Sequence, residues 1–225
     1  MRKPVVDYRK FRLSEIHKPE YSHLKLLLGW VGYFILFFLT ESLIPAENCY
    51  SVHSVLDDWI PFCEGFLIPY VFWYALIVIS LGYFLLYHVD SFKRLQTYII
   101  ITQAVAMAVY ILYPSRQDLR PDTFQNDNIF TWVVGLLYTF DTNTGVCPSL
   151  HVAYSVGIAS TWLRDRSASV AWKIFVTVFV VLICLSTMFI KQHSAVDVFA
   201  AIPVCMLAEY LVFFRRPKKK KNASE

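Results

Sequence analysis

The chain has 225 residues, 56% of them hydrophobic and 17% aromatic, with a mean hydropathy of +0.46. Only 17% are charged, against roughly 25% in an average soluble domain. So much apolar surface calls for a lipid solvent and excludes an ordinary water-soluble globule. Nucleic acid is not an expected partner. The length suits one helical membrane domain.

The first 23 residues form a polar, basic leader, in which Tyr8, Phe11 and Leu13 among basic residues suggest an interfacial helix. No cleavable signal peptide follows it. Apolar runs of about 20 residues suffice to cross a bilayer. They fall at Leu24–Leu43, Gly65–Tyr87, Leu95–Tyr113, Val170–Ile190 and Val196–Phe214. A shorter run, Pro148–Leu163, is rich in Ala, Ser and Gly and reads as a further span, buried against its neighbours. Ile129–Phe140 is too short to cross and reads as a helix on the membrane surface or over the site. The expected fold is therefore all-α, with six transmembrane helices over residues 24–214 and a short interfacial helix before the fourth. A basic tail, residues 215–225, follows.

All but three of the 21 Lys and Arg fall on the side that holds both termini. The positive-inside rule makes that side cytoplasmic, which fits an integral protein of the plasma membrane. The run Arg215–Lys221 reads as a flank meeting anionic lipid headgroups. The three exceptions, Arg116, Arg120 and Lys191, share the opposite face with three polar segments. These are Tyr113–Pro121, Cys147–His151 and Lys191–Asp197.

Pro148 is expected to open the fourth helix, since Pro is favoured at a first helical position. The amides from Ser149 through Leu150 to His151 then form an anion site at a helix N-terminus, to which the Ser149 hydroxyl adds a donor. His193 and Asp197 are four residues apart and meet on one helical face if a helix starts near His193. A carboxylate on one ring nitrogen fixes the imidazole tautomer and leaves the other as nucleophile or base. His17, His23, His53 and His88 read as solvated or packed residues. Asp118, Asp122, Asp127 and Asp141 read as ordinary loop residues, with Asp118 and Asp122 as candidate partners for the arginines. No metal-ligand spacing is present among these acids. The five cysteines form no CxxC pair, and Cys49 and Cys63 share a loop in which they could pair. Glu209 is the one ionisable residue deep in a late span and is expected to snorkel.

Taken together, Arg120-Pro121, Pro148-Ser149-Leu150-His151 and Ser186…His193…Asp197 resemble the three-part signature of the type-2 phosphatidic acid phosphatase/haloperoxidase superfamily. Three positions depart from that pattern: Tyr113 stands for a Lys, Leu150 for a Gly and Thr187 for an Arg. In these departures the chain is also similar to the sphingolipid-phosphotransferase (inositolphosphorylceramide/sphingomyelin synthase-like) branch. The resemblance implies a lipid phosphate substrate and a phosphohistidine on His193, with Asp197 supporting it and His151 moving the leaving-group proton. It implies phosphate binding by Arg120, Ser149 and Leu150, with Lys191 and Arg116 substituting for the missing cations, and neither metal nor cofactor. Hydrolysis of a lipid phosphomonoester or diphosphate is the first expectation. Transfer to a hydroxyl acceptor is the alternative, and lipid transport without catalysis a third.

Overall fold

A computed structural model of the protein describes residues 3–215. The basic run Arg215–Lys221 lies outside the described residues apart from Arg215.

The chain is an all-α bundle. Its helices are α1 (Leu28–Leu43), α2 (Val55–Trp59), α3 (Leu67–Tyr87), α4 (Val89–Leu112), α5 (Ile129–Phe140), α6 (Leu150–Arg164), α7 (Val170–Phe189) and α8 (Ala195–Glu209). A short 3₁₀ stretch, Ser22–Leu27, leads into α1, and a π-helical turn, Tyr210–Phe214, extends α8. Among the described residues five helical segments are long and apolar enough to cross a membrane: Ser22–Leu43, Glu64–Tyr87, Val89–Leu112, Val170–Phe189 and Ala195–Phe214. They mark an integral membrane protein. The third begins six residues before the expected Leu95, because Asp90, Lys93 and Arg94 lie in helical turns ahead of the apolar run.

Helix α6, only 15 residues long, is the axis of the bundle. It packs on α3, α4, α7 and α8, and ten of its residues are buried. Its small residues allow this. A Cβ on Gly157 would stand 2.5 Å from the Tyr98 ring of α4, so only glycine permits that crossing. Helix α1 has no buried residue and lies along α4, with Trp30 Nε1 donating to Gln96 Oε1 at 3.2 Å.

One end of the bundle carries the chain ends. There the leader forms short 3₁₀ turns rather than the expected interfacial helix. It is fastened to α3 by Val5 N–H on Leu86 O at 2.8 Å and Tyr8 Oη–H on Leu85 O at 3.0 Å. His23 is buried against it, 2.7 Å from Tyr8 Oη. Near this end Glu209 does not snorkel. It pairs with Arg164 and accepts the Ser160 hydroxyl at 2.8 and 2.9 Å, so a charge on a late helix is met by one on α6.

The other end holds residues 44–66, 113–149 and 190–194. A parallel pair of two-residue strands, β1 (Tyr50–Ser51) and β2 (Ser115–Arg116), ties two of these loops together. Helix α5 has the bounds expected of Ile129–Phe140 and is capped by Asn128. Cys49 and Cys63 are free thiols.

Candidate functional site

The three polar segments meet at this second end. Helix α6 starts at Leu150, with Ser149 as its N-cap, so Pro148 does not occupy the first helical turn as expected. Ser149 Oγ accepts from Val152 N at 3.4 Å, and Ser149 N donates to Asp197 O at 3.1 Å. Its amide thus ties α6 to α8, while its hydroxyl oxygen caps the first turn of α6. The Leu150 and His151 amides, by contrast, belong to the first turn, where the helix ladder offers no acceptor.

Helix α8 begins at Ala195, one residue after its N-cap Ser194. His193 therefore precedes the helix, and the expected helical His193–Asp197 face is replaced by a cap. Asp197 Oδ2 accepts Ser194 N at 3.0 Å and also lies 3.1 Å from His193 Nδ1. One carboxylate oxygen closes a capping box and orients an imidazole. His193 Nε2 in turn lies 3.3 Å from His151 Nδ1. The result is a line Asp197–His193–His151, with Asp197 fully buried and His193 7% exposed. With the His193 proton on Nδ1, its Nε2 lone pair faces His151 Nδ1–H.

His151 is held from behind by two rings. Trp73 stands 4.0 Å away, centroid to centroid, and Tyr70 is stacked at 4.8 Å. Its Nε2 is buried and has no hydrogen-bond partner. Both histidines line a cavity of about 350 Å³. The cavity runs between α1 and α3, past the outward-facing Phe34, Phe38 and Val78, to Tyr154 inside. Its rim includes Asp141, Thr142 and Thr144.

The expected phosphate ligands divide into two groups. Leu150 lines the cavity, whereas Arg120 does not. Its guanidinium donates to Tyr138 O, Asp141 O, Thr142 O and Gln192 Oε1 at 2.7–3.1 Å and lies over the Tyr138 ring. Gln192, which it fixes, lines the cavity and has a buried Nε2 without a partner.

Neither Lys191 nor Arg116, the expected substitutes for the missing cations, lines the cavity. Lys191 Nζ donates to Asp57 O at 3.0 Å and to Ile60 O. It caps the carbonyl end of α2, where a cation offsets the helix dipole. Arg116 pairs with Asp118 at 3.2 Å and donates to Ala46 O at 2.8 Å on the surface. Among the described residues no Lys or Arg lines the cavity.

Two acids matter more than the sequence suggested. Asp57, 4% exposed, sits at position N3 of α2, where Oδ2 accepts Ser54 N at 2.8 Å. The same carboxylate accepts Ser194 Oγ–H at 2.5 Å and Ala195 N at 2.7 Å, so it caps α8 as well. The pattern Ser54-x-x-Asp57 is legible as a capping box; the second task, 137 residues away, is not. Asp141 is the C-cap of α5, and its Oδ2 accepts from Tyr70 Oη at 3.3 Å. Burial pushes its carboxyl above the usual carboxylate range and Glu41 adds to the push, while His193 and Arg120 pull it down. Compared with known proteins, the chain matches no family model, no curated sequence and no solved structure.

Proposed function

We propose that this protein is an integral-membrane phosphoryl-transfer enzyme that acts on a lipid phosphate ester through His193. The observation that carries the reading is the Asp197–His193–His151 line on the wall of a cavity open between helices. In this reading α6 is a sixth crossing, α5 lies at the membrane surface, both termini are cytoplasmic, and the site faces the opposite side. The resemblance to the type-2 phosphatidic acid phosphatase/haloperoxidase superfamily supports the same assignment.

A phosphate entering between the two rings displaces the His151 contact and frees the Nε2 lone pair of His193. That nitrogen attacks phosphorus in line, and its Nδ1–H stays on Asp197, which stabilises the charge that develops on the ring. The phosphorus–nitrogen bond forms as the phosphorus–oxygen bond to the lipid breaks. His151, protonated beside the incoming anion, gives its proton to the leaving oxygen. Neutral His151 then takes a proton from water as the water oxygen displaces nitrogen from phosphorus. The amides of Leu150 and His151 and the Gln192 amide are donors for the equatorial oxygens.

Water is the preferred acceptor, which makes the protein a lipid phosphatase. Transfer to a lipid or polyol hydroxyl is the second reading. The lack of a lining cation among the described residues favours it, because the sphingolipid-phosphotransferase branch is the one looser about basic residues. The test is the purified protein with a panel of lipid phosphates, scored for released phosphate and for new phospholipid. We expect His193→Ala to abolish turnover on every substrate. Full turnover by that variant, or a wild-type protein that moves lipid without cleaving any ester, would overturn the proposal.

A further inference from the structure

Asp197 is fully buried, and only one of its carboxylate oxygens is accounted for. Oδ2 accepts Ser194 N at 3.0 Å and lies 3.1 Å from His193 Nδ1. Oδ1 is buried and meets no nitrogen or oxygen donor among the described residues. A buried carboxylate oxygen left without a donor is costly. Neighbouring hydroxyls are spent elsewhere. Ser194 Oγ–H goes to Asp57 Oδ2 at 2.5 Å, and Tyr110 Oη–H of α4 goes to Pro148 O at 2.8 Å.

A further group faces this carboxylate, the thiol of Cys147 in the loop before α6. That loop is pinned on both sides of the thiol. Cys147 N donates to Ser115 Oγ at 3.1 Å, and Ser149 N donates to Asp197 O at 3.1 Å. Burial first, and then the charge of Asp197 and a side-chain hydrogen bond with it, push the Cys147 thiol up to about 12. The sulfur therefore keeps its proton at neutral pH and is a donor rather than a nucleophile. An S–H is a weak donor. It can cover a buried carboxylate oxygen and still leave most of the negative charge where His193 needs it.

We propose that Cys147 is a positioning residue, whose S–H donates to Asp197 Oδ1 and keeps that carboxylate aimed at His193 Nδ1 without drawing off its charge. The inference rests on the phosphoryl-transfer reading above and deepens it. No bond to sulfur forms or breaks. His193 attacks only with a bare Nε2, so turnover falls on the acid side as its ring becomes imidazolium. The charge of Asp197 favours that imidazolium. A hydroxyl at position 147 is a stronger donor than the thiol and would take more of this charge away. Besides Cys147, Tyr110 of α4 lies in the field of Asp197, and His151 and Asp141 face His193. Substitution of Cys147 leaves those three groups in place.

The experiment uses the full chain in detergent, with whichever of phosphatidic acid, phosphatidylglycerol phosphate and a polyprenyl diphosphate is cleaved fastest. Cys147→Ser should move the acid limb of the kcat profile to lower pH and Cys147→Ala should move it to higher pH, each by about half a unit. Both should lower the plateau kcat about 3-fold and leave KM unchanged. A residue that only packs would not move the limb in opposite directions. A second measurement needs no turnover. Labelling of Cys147 by methyl methanethiosulfonate at about pH 8, read by mass spectrometry, should quicken about 10-fold in Asp197→Asn, where the neighbouring charge is gone. Cys63 in the same molecule is the reference, and its unchanged labelling shows that the fold is kept. Limbs that stay put or move together, or Cys147 labelling that does not change, with turnover still lost in His193→Ala, would overturn this inference and leave the proposed function standing. Absence of any His193-dependent ester cleavage would overturn both.

Discussion

His151 and His193 are both histidines in one hydrogen-bonded line, yet their chemistry differs by their partners. Asp197 fixes the proton of His193 on Nδ1, whereas His151 is clasped by Trp73 and Tyr70 and keeps a buried Nε2 without a partner. Loss of His193 should therefore remove turnover entirely. Loss of His151 should depend on the leaving group: severe for a lipid alkoxide, milder for a diphosphate, whose leaving phosphate needs less help from an acid. Steady-state rates on a lipid monoester and a lipid diphosphate check this, and equal losses for the two would contradict it. Asp57 makes the opposite case, a carboxylate with no place in the chemistry. Asp57→Ala removes the caps of two helices and should cost about 2 kcal/mol of stability. A thermal melt in detergent reads it, and an unchanged melting temperature would count against the double cap. Lys191→Met should likewise lower stability through α2 rather than act on substrate affinity, so an unchanged KM in the folded variant is the expected result.

The elements were legible where one property decided them. Apolar length alone located α1, α3, α4, α7 and α8, and Ile129–Phe140 emerged with its expected ends. What could not be read was the direction of side chains in the connecting loops. Lys191 and Arg116 are close in sequence to the motifs, but side-chain placement follows backbone geometry, not sequence distance. Lys191 stands at φ 54°, a left-handed turn between α7 and α8, and this aims its ammonium at α2. Asp141 read as a loop acid because its partners, Tyr70 and His193, lie on other elements. The His193–Asp197 contact was foreseen from spacing and arose by another route, through the cap of α8. Helix α6 shows the same dependence on tertiary context. Its small residues predicted a buried helix, and the Gly157–Tyr98 approach shows how close the crossing is. Gly157→Leu should overpack it and cost about 3 kcal/mol. The measure is the urea or thermal midpoint in micelles, and a neutral result would show that α4 and α6 can move apart freely.

At the scale of the whole molecule, the loops that carry the motifs gather at one end of the bundle and both described chain ends at the other. If the positive-inside rule assigns the latter end to the cytoplasm, an engineered cysteine at Gln125 should react only with reagent added from the far side. Labelling from the cytoplasmic side would reverse the orientation. Turnover is expected to survive chelation by EDTA. Loss on chelation with recovery on added Mg²⁺ would point to a metal-assisted reaction instead.

The leader's attachment to α3 has a consequence for the order in which the protein can be made. Val5 and Tyr8 leave the ribosome well before their acceptors, Leu86 and Leu85, have been synthesised. These two contacts can therefore close only after α1 and α3 have been made. Truncation of residues 1–20 should leave insertion efficiency intact while the finished protein turns over faster in the cell, which a pulse-chase measurement separates. The latch can thus shut only once α3 is complete, and faster turnover of the truncated protein is the mark expected of it.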